Sequence, residues 1–172
     1  MNFKPSSYLL RYSALLFISC VASILCRGDI VINEIHFDPE PNTEEVEFIE
    51  LYNSGASSVD LSGWQFTDGV SYTFPSNTSL AAGEYLVISE NPTAVQTKFS
   101  ITSIGPWSGK LSNEGETIVL KNAAAGVEDE VDYGVGFPWP LASRGTGSSL
   151  ELIHYSLDNS KGGNWRASGY TS

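Results

Sequence analysis

Hydrophobic and polar residues alternate along this chain in short bursts of strand length. Ile30-Val-Ile-Asn-Glu-Ile-His36 opens the pattern and predicts a strand over residues 30–36. Two prolines and four acids between Asp38 and Glu45 suit neither ladder nor core, so that stretch reads as a loop. A second strand is predicted over 46–53, where Phe48, Ile49, Leu51 and Tyr52 crowd together before Asn53-Ser54-Gly55 stops the run. A short edge segment follows at 58–61. Asp68-Gly69 then sits between segments 63–67 and 71–74, a hairpin signal because both residues tolerate positive φ. Residues 75–83 form a turn-rich connection to a strand over 84–89.

One helix is expected. Asn91 is a good cap and Pro92 fits the first turn, so residues 91–99 can wind two turns at most. Strands at 115–121 and 127–133, joined by 122–126, form the next pair. A loop rich in Gly, Pro and Trp covers 134–147, and the last clear strand spans 148–153. Beyond Trp165 the pattern carries no structural signal, and residues 169–172 read as an unstructured end. Many short strands at this spacing, with one short helix, predict an all-β sandwich or barrel.

Residues 1–28 stand apart from the pattern. Lys4 and Arg11 precede an almost uncharged apolar run from Tyr12 to Cys26, and small residues follow, as in a secretory signal peptide. The run is about 15 residues against about 20 for a spanning helix; an uncleaved anchor is the alternative. Cleavage near Asp29 removes Cys20 and Cys26, leaving a mature chain without thiols. It also removes three of the nine Lys and Arg while all 20 Asp and Glu stay, taking the net charge from −11 to −14. Between Arg27 and Lys98 there are 12 acids and no Lys or Arg. Such a surface disfavours nucleic acid and, once the leader is gone, anionic membranes, and suits a protein secreted to the extracellular space or cell surface.

A set of short motifs occurs in order: Ile32-Asn-Glu-Ile35, Phe48-Ile-Glu-Leu-Tyr-Asn53, Val59-Asp-Leu-Ser-Gly-Trp64, Leu80-Ala-Ala-Gly-Glu-Tyr-Leu-Val-Ile-Ser89, Leu111-Ser-Asn-Glu-Gly-Glu-Thr-Ile-Val-Leu120, Asp132-Tyr133, Gly147-Ser-Ser-Leu-Glu-Leu152 and Asn164-Trp165. Together they resemble the lamin tail domain in its secreted bacterial form, over residues 29 to about 168. The resemblance implies an immunoglobulin-like β-sandwich of one domain, of a kind that stands beside extracellular enzymes without being catalytic itself.

Candidate chemistry is sparse. His36 and His154 fall at strand ends without metal-ligand partners at close spacing, and read as surface or edge residues. Gly145-Thr-Gly-Ser-Ser149 precedes a strand, which fits neither a nucleophile elbow nor a phosphate cradle. The carboxylates are richer. Glu34, Glu47 and Glu50 on the first two strands, with Asp38 in the loop between, form an oxygen-rich group that could hold calcium; a solvated acidic face is the plainer reading. A glycosidase-like pair of Glu34 and Glu50 is a weaker alternative. Trp64 and Trp165 read as core. Trp107 and Trp139 stand in Pro/Gly loops, where they could stack on a partner or plug the ends of a sandwich. No cofactor is expected. The functional expectation is a secreted, non-enzymatic module that attaches to an extracellular protein or carbohydrate. Calcium-dependent adhesion and an accessory fragment of a larger hydrolase are the alternatives.

Overall fold

The computed structural model describes residues 30–41 and 43–169. The predicted leader, the start near Asp29 and the end at 170–172 lie outside the described residues. Strands β1 (Ile30–His36), β2 (Phe48–Asn53), β3 (Val59–Asp60), β4 (Gln65–Asp68), β5 (Tyr72–Thr73), β6 (Ser79–Leu80) and β7 (Tyr85–Ser89) come first. Helix α1 (Pro92–Phe99) follows, then β8 (Ser103–Ile104), β9 (Gly115–Lys121), β10 (Val127–Gly134), β11 (Leu150–Leu152) and β12 (Trp165–Ala167). Among the described residues they form a six-stranded sheet, β12-β11-β1-β2-β7-β8, a four-stranded sheet, β10-β9-β4-β5, and the small pair β3-β6.

The two larger sheets enclose one core because alternate residues of each strand turn inward. Ile35, Ile49, Leu51 and Ile88 from the large sheet meet Phe66, Ile118, Leu120 and Val131 from the small one, all buried. Phe37 packs on Tyr133 at 5.0 Å, and the Tyr133 hydroxyl donates to the Ser112 carbonyl at 2.7 Å, so a large ring is buried with its polar end satisfied.

A bulge shapes β1. Ile32 pairs with Leu51 and Glu34 with Glu50, so Asn33 is an extra residue on β1. The Ile32 N–H donates to Asp129 of β10 at 2.7 Å, and Asn159 also donates to that carboxylate at 2.7 Å. The four-stranded sheet thus pins the bulge of the six-stranded sheet through one buried carboxylate.

The helix is as predicted. Asn91 accepts from the Ala94 N–H at 3.2 Å, Pro92 occupies the first turn, and Ser100 closes the end in a left-handed conformation. The hairpin at Asp68-Gly69 also forms, with Gly69 at φ +75°. Its pairing of Phe66 with Tyr72 leaves a loop longer than a two-residue turn, and Asp68 pairs with Val119 instead. Two elements correct the expectation. The sequence carries no strand signal beyond Trp165, yet Trp165–Ala167 pairs with β11, Leu152 opposite Trp165. Ser103–Ile104 runs parallel to β7 at the sheet edge; Thr102 and Ser103 separate Ile101 from Ile104, so no apolar burst marks it.

Candidate functional site

The outer face of the six-stranded sheet carries a groove of about 460 Å³. Its floor follows from strand register. Glu34 of β1 stands opposite Glu50 of β2 on one side and Glu151 of β11 on the other, three glutamates abreast on adjacent strands. Like charges directly opposite one another weaken a sheet. Among the described residues, Ser149 donates its hydroxyl to Glu34, the Asn33 amide donates to Glu50 at 2.9 Å, and Arg166 of β12 donates to Glu151 at 2.8 Å. A carboxylate can accept about four hydrogen bonds, so all three keep accepting capacity.

Burial pushes the Glu34 carboxyl up to about 7, with the neighbouring charges of Glu50 and Glu151 adding to it and the Ser149 hydroxyl opposing. Glu50 is also raised, first by burial, with Glu151 contributing. Glu34 and Glu50 therefore hold protons more readily than free glutamates do.

The wall is aromatic. Tyr52 is paired across the sheet with Tyr85, their rings 4.6 Å apart, and Tyr155 lies 5.2 Å from Tyr52 on the other side. His154 stacks on Tyr155 at 4.3 Å, which extends the row. Large apolar side chains are seldom left exposed together. Here Tyr85 is 56% exposed, Ile153 49% and Tyr155 40%, and all three line this groove. Glu34 and Glu151 also border a smaller depression of about 250 Å³ toward Phe99 and Ile101, so the polar floor continues past the tyrosines.

The predicted carboxylate group is divided by the fold. Glu34 and Glu50 come together. Glu47 is buried elsewhere, where it accepts from the Leu111 N–H at 2.8 Å. Burial also pushes Glu47 up to about 7, against the pull of that N–H, with Glu90 adding to the rise. Asp38 ties two loops, accepting from Asn113 at 3.0 Å and from the Gly145 N–H at 2.5 Å. Among the described residues, no three His, Cys, Asp or Glu side chains are grouped so as to hold one metal ion.

His36 departs from its surface or edge expectation. It is buried, stacked on Phe48 at 5.1 Å, with its ring nitrogens 3.1 Å from the Val46 carbonyl and 3.0 Å from the Gly147 carbonyl. Burial lowers its pKa. His154 is exposed. Trp107 is 6% exposed and belongs to the core, so its ring is not displayed to a partner; the Pro/Gly loop folds inward over it. Trp139 is partly buried, 5.8 Å from Trp165, and a Cβ on Gly162 would stand 2.8 Å from its ring. Its place is thus fixed by packing. Sequence reasoning missed Tyr52, Tyr85, Tyr155 and Glu151 as site residues. The alternation in 48–53 and 85–89 puts polar and aromatic residues on one face, but their meeting with residues 151–155 depends on strand order.

Two packed sheets with this connectivity make an immunoglobulin-like β-sandwich. The chain matches the lamin tail domain over residues 26–135 and belongs to that family. Comparison with curated proteins gives no match. The matched residues end just after β10, short of the reach to about 168 implied by the motif resemblance. The later strands β11 and β12 nonetheless join the same sheet beside β1.

Proposed function

We propose that this protein is a secreted, non-catalytic attachment module whose contact surface is the groove on the outer face of the six-stranded sheet. The observation that carries the reading is the concentration of exposed Tyr85, Ile153 and Tyr155 in a single groove with three glutamates on its floor. Aromatic rings that are apolar on their faces and polar at one end are well suited to contact surfaces. Membership of an immunoglobulin-like family supports a binding role over a catalytic one. The signal-like leader supports export, to the extracellular space or cell surface.

The test uses the double variant Tyr85→Ala, Tyr155→Ala, both at exposed positions. Wild type and variant are compared for co-sedimentation with extracellular matrix and cell-wall preparations, after N-terminal sequencing of exported protein. The expected result is a start near Asp29, sedimentation of the wild type and loss of sedimentation in the variant. Equal sedimentation of both proteins would remove the groove from the proposal. A start at Met1 in a membrane fraction would remove secretion.

A further inference from the structure

We propose that the groove takes a cationic peptide segment, with the ammonium or guanidinium group of a lysine or arginine seated over Glu34 and Glu50 and against the tyrosine row. The inference deepens the proposed function and rests on it.

Four observations converge on that occupant. First, three glutamates stand abreast across β11, β1 and β2, an arrangement that costs stability through like-charge contact unless a cation is shared among them. Secondly, one place in the row is already taken by a cation of the chain itself. Arg166 sits on Glu151, its side chain 64% exposed at the rim. Among the described residues, no Lys or Arg forms an ion pair with Glu34 or Glu50. Those two carboxylates are the floor left for a partner's charge. Thirdly, Tyr52, Tyr85 and Tyr155 line the same groove, and the negative face of an aromatic ring attracts a cation. Fourthly, among the described residues no three His, Cys, Asp or Glu side chains are placed to hold one metal ion. An organic cation can instead be shared between hydrogen-bond acceptors and rings. A positive charge in the groove would favour the ionised form of Glu34, against the burial that raises its pKa.

The chain-wide charge adds steering. With 12 acids and no Lys or Arg between Arg27 and Lys98, the field around β1, β2 and β7 draws basic segments in.

The test measures fluorescence anisotropy of a labelled peptide of alternating lysine and glycine titrated with the purified protein. Its Nε-acetylated twin and a labelled neutral oligosaccharide serve as comparison probes. The lysine peptide should bind, and the acetylated twin at least tenfold more weakly. Tyr85→Ala and Glu50→Gln should each weaken the lysine peptide at least fivefold. The double substitution Glu130→Gln, Asp132→Asn removes more charge, from exposed positions on the other sheet, and should change binding less than twofold. If the two sheets prove equally sensitive, binding is diffuse charge attraction and the seated cation is wrong. If the acetylated peptide or the oligosaccharide binds best and Tyr85→Ala abolishes it, the groove stands as contact surface but its cationic preference is overturned. If no probe binds, the inference fails while the proposed function keeps its own test.

Discussion

The two sheets of this sandwich are built on the same inward pattern but differ in what they turn outward. The four-stranded sheet shows Gln65, Thr67, Thr73, Glu130 and Asp132, all exposed, with Thr117 donating to Asp132 at 3.2 Å. That face is a polar lawn, and its residues answer to solvent. The six-stranded sheet shows a row of tyrosines above a row of glutamates, an arrangement that solvent alone does not require. The difference teaches where to look for function in a fold whose core is generic. Yet the two are not independent. The plain sheet supplies Asp129, which holds the bulge that puts Asn33 beside Glu50.

Four experiments would break or sharpen this contrast. The largest effect should come from Asp129→Ala. It leaves the Ile32 N–H and the Asn159 amide without their acceptor inside the protein, and should cost about 3 kcal/mol in denaturant unfolding. Asp132→Ala, three residues on and exposed, should fall within about 0.5 kcal/mol of wild type. Equal costs would deny the pin.

Smaller in size is a pH effect. The folded pKa of Glu34 and of Glu47 is raised to about 7, above the ordinary 4.5, so the folded state holds more protons between those values. Their contribution to stability is fully present below 4.5 and is lost as pH rises through 7. His36 runs the other way: its pKa is lowered from 6.5, so its contribution falls as pH drops below 6.5. Glu34→Gln should therefore stabilise the protein at pH 8 by on the order of 1 kcal/mol, discounted for partial exposure, and flatten the profile between pH 5 and 7. An unchanged profile would mean that Glu34 is solvated like any surface acid.

Tyr85→Ala should change stability by less than about 0.5 kcal/mol, since the ring is 56% exposed, while disabling the groove. A large melting shift would show that the tyrosine row is structural and erase the contrast between the faces. Smallest of all should be the preference for calcium. Calcium and sodium at equal ionic strength should move the melting temperature alike, through screening of the acidic surface. A selective rise with calcium, removed by Glu34→Gln, would turn the groove into an ion site.

Much of the frame is legible in the sequence because it is written locally. Asn91-Pro92 caps the helix, Gly69 supplies its positive φ, and the runs at 30–36 and 115–121 coincide with β1 and β9. The groove is not local. Glu34 and Glu151 are distant in sequence, and their pairing follows from β11 lying next to β1, which no short-range pattern states. Trp107 shows the same limit. Its Pro/Gly neighbours suggest a displayed ring, whereas the loop path, with Ser108 bridged to Ser71, turns it inward. His36 sits on the outer side of β1, and the covering by Phe48 and Phe99, with the Val46 and Gly147 carbonyls on its ring nitrogens, makes it interior.

Among the described residues β10 and β5 are the margins of the four-stranded sheet, and the outer positions of β10 run Glu128, Glu130 and Asp132. An unpaired margin is a template on which another chain can add a strand, the first step toward ribbons and fibrils. Two copies meeting there would bring rows of carboxylates into opposition, so self-templating is disfavoured while pairing with β9 inside one molecule is kept. The same few acids that make this face unremarkable as a docking surface thus oppose polymerisation through that margin.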